Sequence, residues 1–409
     1  MSTLADAVLP LVRTRTDVSR WSSANQHGSQ MHQAIELIEA ALPSTPPADV
    51  YSVVHAAVAS AVKVIARADD SSGIIGDACH RLLELHPQVA AAAGVAPGKL
   101  VDWMIKFQFE GDVDYFNIDP VAYAPALGEV GMTAYRQRLA EVRTLIGPEP
   151  SLDERFAKPH GRENWVLEWN AKRLAVFDHD VDAIIRTHLR DGRVAAWFQD
   201  TAEAFEEIGE IDLAVDWARK ASDHDSGHQA LKAADYWCIL LAQHRPGEHL
   251  AARADVFNRW PSSSTAAALH RAAGTAWPEF EEDVTARLAA RPDQAVLFSL
   301  TTLKDPRRAW EQANSLHLTD AHVWMELVAA YERIDPLATL PVHQCLVERE
   351  LEATDAKHYK LAARRLATMR TLAADSEQEI EVDAFIAALR ETHRRRPRLQ
   401  QEFDRARLP

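Results

Sequence analysis

The chain has 409 residues, of which 47% are apolar and 26% charged, with 15 glycines and 3 cysteines. That composition supplies a sizeable core and excludes wholesale disorder, while the scarcity of glycine disfavours a many-stranded architecture whose turns need positive φ. A net charge of −15 disfavours a surface that wraps nucleic acid over the whole molecule.

Cys79, Cys238 and Cys345 lie far apart with no CxxC pair, so neither a disulfide framework nor a cysteine-rich zinc site is expected. No apolar run approaches the ~18 residues that span a bilayer. The opening Met1 to Asp6 lacks a basic stretch followed by an apolar one. These features lead to the expectation of a cytoplasmic chain with no membrane partner.

In chain order, Val50, Val53, Val54, Ala57, Val58, Ala61, Val62 and Ile65 recur at steps of three and four and predict a helix, with Asp49 as its N-cap. Gly73 and Gly76 precede a helix carrying Leu82, Leu83 and Leu85, which Ala96, Pro97 and Gly98 separate from another over about 99–109. The segment from Asp112 to Pro120 reads as an aspartate-rich loop, with a short hairpin as the alternative. A helix over about 129–146 ends at Gly147, Pro148, Glu149 and Pro150, the strongest boundary in the chain. The expected organisation is an N-terminal helical domain over 1–147, a linker over 148–162 and a C-terminal helical domain over 163–409.

Nine of the eleven tryptophans fall between Trp165 and Trp324, and Trp197, Trp217, Trp237 and Trp260 follow at steps of 20, 20 and 23. One helix plus one turn is about that long, so each step sets a large ring into a successive helix–helix contact. Phe198, Ala202, Phe205, Gly209, Ala214, Trp217 and Ala221 are the predicted packing positions of one such pair. Their pattern resembles the tetratricopeptide repeat, with small residues where two helices approach and a glycine where the first one ends. The resemblance implies an all-α fold, a tetratricopeptide-like superhelix of antiparallel helix pairs. Trp324 and Tyr331 repeat the aromatic spacing, with Asp335 in place of the turn glycine.

Over roughly 165–405 the chain is also similar to a bacterial helical-repeat family of unknown function, found behind the zinc-binding module of SWIM zinc-finger proteins and as stand-alone chains. The residues that carry the likeness run from Phe205 to Ala218, Trp277 to Phe280, Ala309 to Ala313, Tyr359 to Leu366 and Leu389 to Arg396. No CxC followed by CxH is present, so that module's zinc and nucleic-acid roles do not transfer.

Catalytic motifs are missing: there is no GxGxxG after a strand, no Walker loop, no GxSxG and no HExxH, so neither an enzyme nor a cofactor is expected. His224 and His228 have the i, i+4 spacing of helical metal ligands, yet Ser226 and Gly227 between them read as a turn. Asp178 or Asp180 reads as the N-cap of a helix starting near Val181, and Cys238 as a buried small apolar residue.

Charge is blocked along the chain. Seven acids and no base lie from Asp200 to Asp216, and from Lys357 to Ala373 the pattern reverses, with Lys357, Lys360, Arg364, Arg365 and Arg370 and no acid in that stretch. Five acids follow from Asp375 to Asp383, and then Arg390, Arg394, Arg395, Arg396 and Arg398. Consecutive helices with opposite blocks neutralise one another. A surviving strip of Arg364, Arg365, Arg394, Arg395 and Arg396 is the expected contact for a partner or polyanion. The functional expectation is a non-enzymatic scaffold that binds a protein or peptide; the alternative is a nucleic-acid-associated accessory protein using those arginines.

Overall fold

The three-and-four spacing of apolar residues is realised along the chain: among the described residues, a computed structural model contains 21 α-helices and no strand. It describes residues 3–111, 113, 116–148 and 161–409. The linker expected at 148–162 lies almost wholly outside them, and the described part of 111–119 carries neither helix nor strand.

The chain divides into two compact units, Met1–Ala221 and Ser222–Pro409. The first holds α1 (Thr3–Val12), α2 (Trp21–Ala41), α3 (Pro47–Ile65), α4 (Ile74–Ala92), α5 (Pro97–Glu110), α6 (Pro120–Ile146), α7 (Gly161–Phe177), α8 (Val181–Ile184) and α9 (Ala195–Glu207), and most of α10 (Ile211–Asp223). The second holds α11 (His228–His244), α12 (Pro246–Arg259), α13 (Ser263–Ala273), α14 (Pro278–Leu288), α15 (Pro292–Leu297) and α16 (Pro306–Ser315). It continues through α17 (Ala321–Tyr331), α18 (Leu340–Glu352), α19 (Ala356–Ala373), α20 (Gln378–Thr392) and α21 (Pro397–Arg405).

Helix starts follow two local rules. Proline occupies the first turn of α3, α5, α6, α12 and α21, where its missing N–H removes no helical bond. Elsewhere a carboxylate accepts from free backbone N–H groups, as Asp180 does at α8, Asp320 at α17 and Asp355 at α19. Asp49, expected to cap α3, instead lies within its first turn, because Pro47 already opens the helix. Gly73, at φ 79°, ends the preceding turn, so Gly76 falls inside α4. The helix expected over about 129–146 is the second segment of α6, which Gly128 at φ 59° separates from a first segment that starts at Pro120.

In the first unit α1 packs on α2 and α3, and α4 on α2, α3 and α6. The core runs through Val8, Met31, Ile35, Val54, Val58 and Leu82, then Leu100, Met104, Leu127 and Tyr135. Burying each aliphatic side chain contributes about 1.5–3 kcal/mol. Helix α3 is the one described helix long and apolar enough to cross a bilayer, with a mean hydropathy of 1.4. Its apolar stripe, from Val50 to Ile65, is buried in this core.

The residues expected to pack one helix pair fall on α9, on α10 and in the turn between them. Phe198 and Phe205 of α9 lie 5.8 and 6.4 Å from the Trp217 ring of α10, and Ala202, Ala214 and Ala221 are buried. Gly209 sits at φ 82° between the two helices, where only glycine is unstrained. In the second unit neighbouring helices pack in the same way, α11 on α12, α15 on α16 and α18 on α19. There Trp310 stacks on Tyr331 with centroids 4.4 Å apart and Trp324 meets Trp310 edge-on at 5.5 Å.

Candidate interaction groove

Helix α19 is amphipathic in an unusual way. One side places Tyr359, Ala362, Leu366 and Met369 in a core shared with Ile386 of α20 and Leu399 and Phe403 of α21. Lys357, Lys360 and Arg364 are exposed on the side away from it, at the three-and-four spacing of one helical face. Because α21 is anchored through Leu399 and Phe403, its exposed Arg398 and Arg405 come to face that stripe.

The result is a groove of about 680 Å³ between α19 and α21, lined by these five bases, by Ala356, Ala363 and Ala406, and by Glu402. Arg405 pairs with the buried Glu402 at 2.5 Å. Among the described residues the side chains of Lys357, Lys360, Arg364 and Arg398 have no ion-pair or hydrogen-bond partner. Four unpaired cations converging on an alanine floor attract an anion by charge and leave room for its apolar backbone.

The five arginines expected to contact a partner have separate fates. Arg364 lines the groove. Arg365 turns inward, pairing with Glu350 of α18 at 2.9 Å and approaching His343 Nδ1 at 3.5 Å. His343 Nε2 lies 2.8 Å from Glu332, and burial pushes its affinity for a proton down, so the neutral ring donates to Glu332 and accepts from Arg365. Arg394 pairs with Glu391 at 2.7 Å, and Arg396 donates to the Leu351 carbonyl at 2.8 Å. Arg395 stays exposed, with no partner among the described residues.

Arg398 belongs to the same C-terminal run in sequence, but its grouping with Lys357, Lys360 and Arg405 depends on how α21 packs on α19. The neutralisation expected between consecutive blocks occurs beside the groove, where Arg370 meets Asp383 at 2.7 Å and Arg390 meets Asp404 at 2.9 Å.

His224 and His228 are not on one helical face, since α10 ends at Asp223 and α11 begins at His228. His224 Nδ1 instead lies 3.0 Å from Asp225. Among the described residues no group of three or more His, Cys, Asp or Glu side chains is placed to hold a metal. Cys79 and Cys238 are buried, and burial pushes their thiols up to about 12 and about 11, so neither is a thiolate at neutral pH.

The first unit contains polar chemistry that the spacing of the sequence does not reveal. His86, fully buried in α4, reaches Tyr123 of α6 and His55 of α3, and the Trp103 ring of α5 stacks on it at 4.3 Å. Burial pushes the His86 imidazole down to about 3, helped by the neighbouring His55. Nearby, Gln108 donates to Tyr135, Tyr135 to Asn170 and Asn170 back to Gln108, at 2.7, 2.6 and 2.9 Å, a closed ring in which every buried group is satisfied.

Residues 8–399 match a family of unknown function, DUF6880. The chain belongs to this family. The match reaches into both compact units and takes in the buried histidines and Lys357, Lys360, Arg364 and Arg398 of the groove, while Glu402, Arg405 and Ala406 lie beyond it. No curated protein matches the sequence.

Proposed function

We propose that the protein is a non-enzymatic helical scaffold that docks an acidic segment of a protein partner in the groove between α19 and α21. The observation that carries this reading is the set of four unpaired cations, Lys357, Lys360, Arg364 and Arg398, around an alanine floor in a chain of net charge −15. An acidic peptide matches the cationic walls through its carboxylates and the floor through its backbone and small side chains. No aromatic ring lines the groove, and single-stranded nucleic acid draws much of its affinity from stacking on such rings. A tetratricopeptide-like superhelix is the architecture we infer. Contacts between alternate helices, α1 with α3 and α2 with α4, support it within the first unit, and α19 with α21 within the second. A cytoplasmic setting goes with this reading.

A second reading, binding of nucleic acid, is favoured by the exposed Arg395 beside Arg394 and Arg396 in a cleft at the end of α20. Fluorescence anisotropy of the full chain with a labelled glutamate-rich peptide and with single-stranded DNA separates the two. The groove reading predicts peptide binding at physiological salt that weakens at least about tenfold in the Lys357→Glu, Arg364→Glu, Arg398→Glu variant. Preferred binding of DNA, lost when Arg394, Arg395 and Arg396 become alanine, overturns it in favour of the second reading.

A further inference from the structure

In the first unit three ring side chains from three helices stand in single file. The Tyr123 hydroxyl lies 2.9 Å from His86 Nδ1, and His86 Nε2 lies 3.0 Å from His55 Nδ1. Tyr123 and His86 are buried and His55 is half-buried, so the file leads from the core towards the surface. Each link holds one proton. A neutral imidazole carries a single N–H, and the Tyr123 hydroxyl has no second partner among the described residues. With both rings neutral, one arrangement fills both links and gives the buried Tyr123 hydrogen an acceptor: Tyr123 donates to His86 Nδ1, and His86 Nε2 donates to the single lone pair of His55 Nδ1, which leaves none for the half-buried Tyr51 hydroxyl beside it.

A charged His55 changes that arrangement. Both of its nitrogens then carry hydrogen, so its Nδ1 donates and His86 Nε2 must accept. His86 stays neutral only by carrying its proton on Nδ1, which donates to the Tyr123 oxygen. One proton has entered from water, and His86 and Tyr123 each keep the number they had.

We propose that this file is a proton-responsive latch between α3, α4 and α6, in which uptake of one proton at His55 reverses both hydrogen bonds and switches the tautomer of His86. Reversal leaves the Tyr123 hydroxyl hydrogen with no acceptor in a buried site, so an event at half-buried His55 weakens the seat of α6 on α4.

The titratable groups facing His55 are few. Tyr51, one turn earlier on α3, has its hydroxyl 3.4 Å from the same Nδ1, and His86 faces it from α4. Helix α5 contributes Trp103, which carries no charge, and α6 contributes Tyr123 behind His86. No acid or cationic side chain forms an ion pair with His55 among the described residues. Burial lowers the proton affinity of both imidazoles, and of His86 most, which makes an imidazolium in the middle of the file the least favourable alternative.

The latch uses none of the residues of the groove and stands apart from the function proposed above. Long-range proton–nitrogen NMR of the histidine rings in the full chain, from about pH 7.5 to about pH 5, tests it directly. The expected result is an Nε2–H signal for His86 that gives way to Nδ1–H with the same midpoint as the charging of His55. A His86 ring that keeps Nε2–H throughout, or that itself becomes charged at that midpoint, overturns the proposal. In a His55→Gln variant the tautomer of His86 is expected to lose its pH dependence, and a transition that survives there also overturns it. If that variant does not fold, as circular dichroism would report, the wild-type titration alone still decides.

Discussion

Lowering the pH from 7 to 5 is expected to weaken the first unit by about 2 kcal/mol through His86 alone. In the folded chain burial pushes this imidazole down to about 3, against 6.5 when it is exposed to water. The folded value is the depressed one, so between those limits the unfolded chain binds a proton that the folded chain refuses. Stability is therefore complete above 6.5, falls as the pH drops below it, and levels off near 3. At pH 5 the gap realised is about 1.5 pH units, and at about 1.4 kcal/mol per unit this gives about 2 kcal/mol, or a roughly thirty-fold rise in the opening constant. His188, buried and pushed down to about 4, adds a similar amount to any opening that exposes both. Native-state hydrogen exchange of the α3 and α4 amides, corrected for the intrinsic effect of pH, reads this quantity in the intact chain. A change below about 0.5 kcal/mol between the two pH values would show that His86 is charged or hydrated in the folded protein, and would refute the reasoning.

Two further predictions concern packing. At Gly209, φ is 82° and an added Cβ meets nothing within 4 Å, so Gly209→Ala isolates the backbone term and should destabilise by about 1 kcal/mol in thermal or denaturant unfolding, with Gly209→Val worse. At Gly28 an added Cβ would lie 2.5 Å from Ile74 Cγ2, so Gly28→Ala should cost about 1–3 kcal/mol and be partly rescued by Ile74→Ala.

The helices were readable because their apolar period is strong and their ends carry proline, aspartate or glycine. Asp180 caps α8 as expected, and the rings of Phe198 and Phe205 lie 5.8 and 6.4 Å from that of Trp217. Asp49 misled because two kinds of start signal compete there, and Pro47 opens the helix two residues earlier.

The groove was only half readable. The cationic stripe of α19 is written in the spacing of Lys357, Lys360 and Arg364, whereas Arg398 and Arg405 join it through the burial of Leu399 and Phe403. Whether an arginine is free depends on partners distant in sequence: Glu350 takes Arg365, and the Leu351 carbonyl takes Arg396. The histidine file was hidden for the same reason. His86 lies on the apolar face of α4, and Tyr123 is 37 residues away.

The central claim, that the groove between α19 and α21 docks an acidic segment, is tested most directly by hydrogen–deuterium exchange of the full chain with and without a saturating glutamate-rich peptide. The account predicts slower exchange confined to Ala356–Ala373 and Pro397–Arg405, and none when Lys357, Arg364 and Arg398 are replaced by glutamate. Protection placed elsewhere on the chain, or unchanged by that substitution, would contradict it.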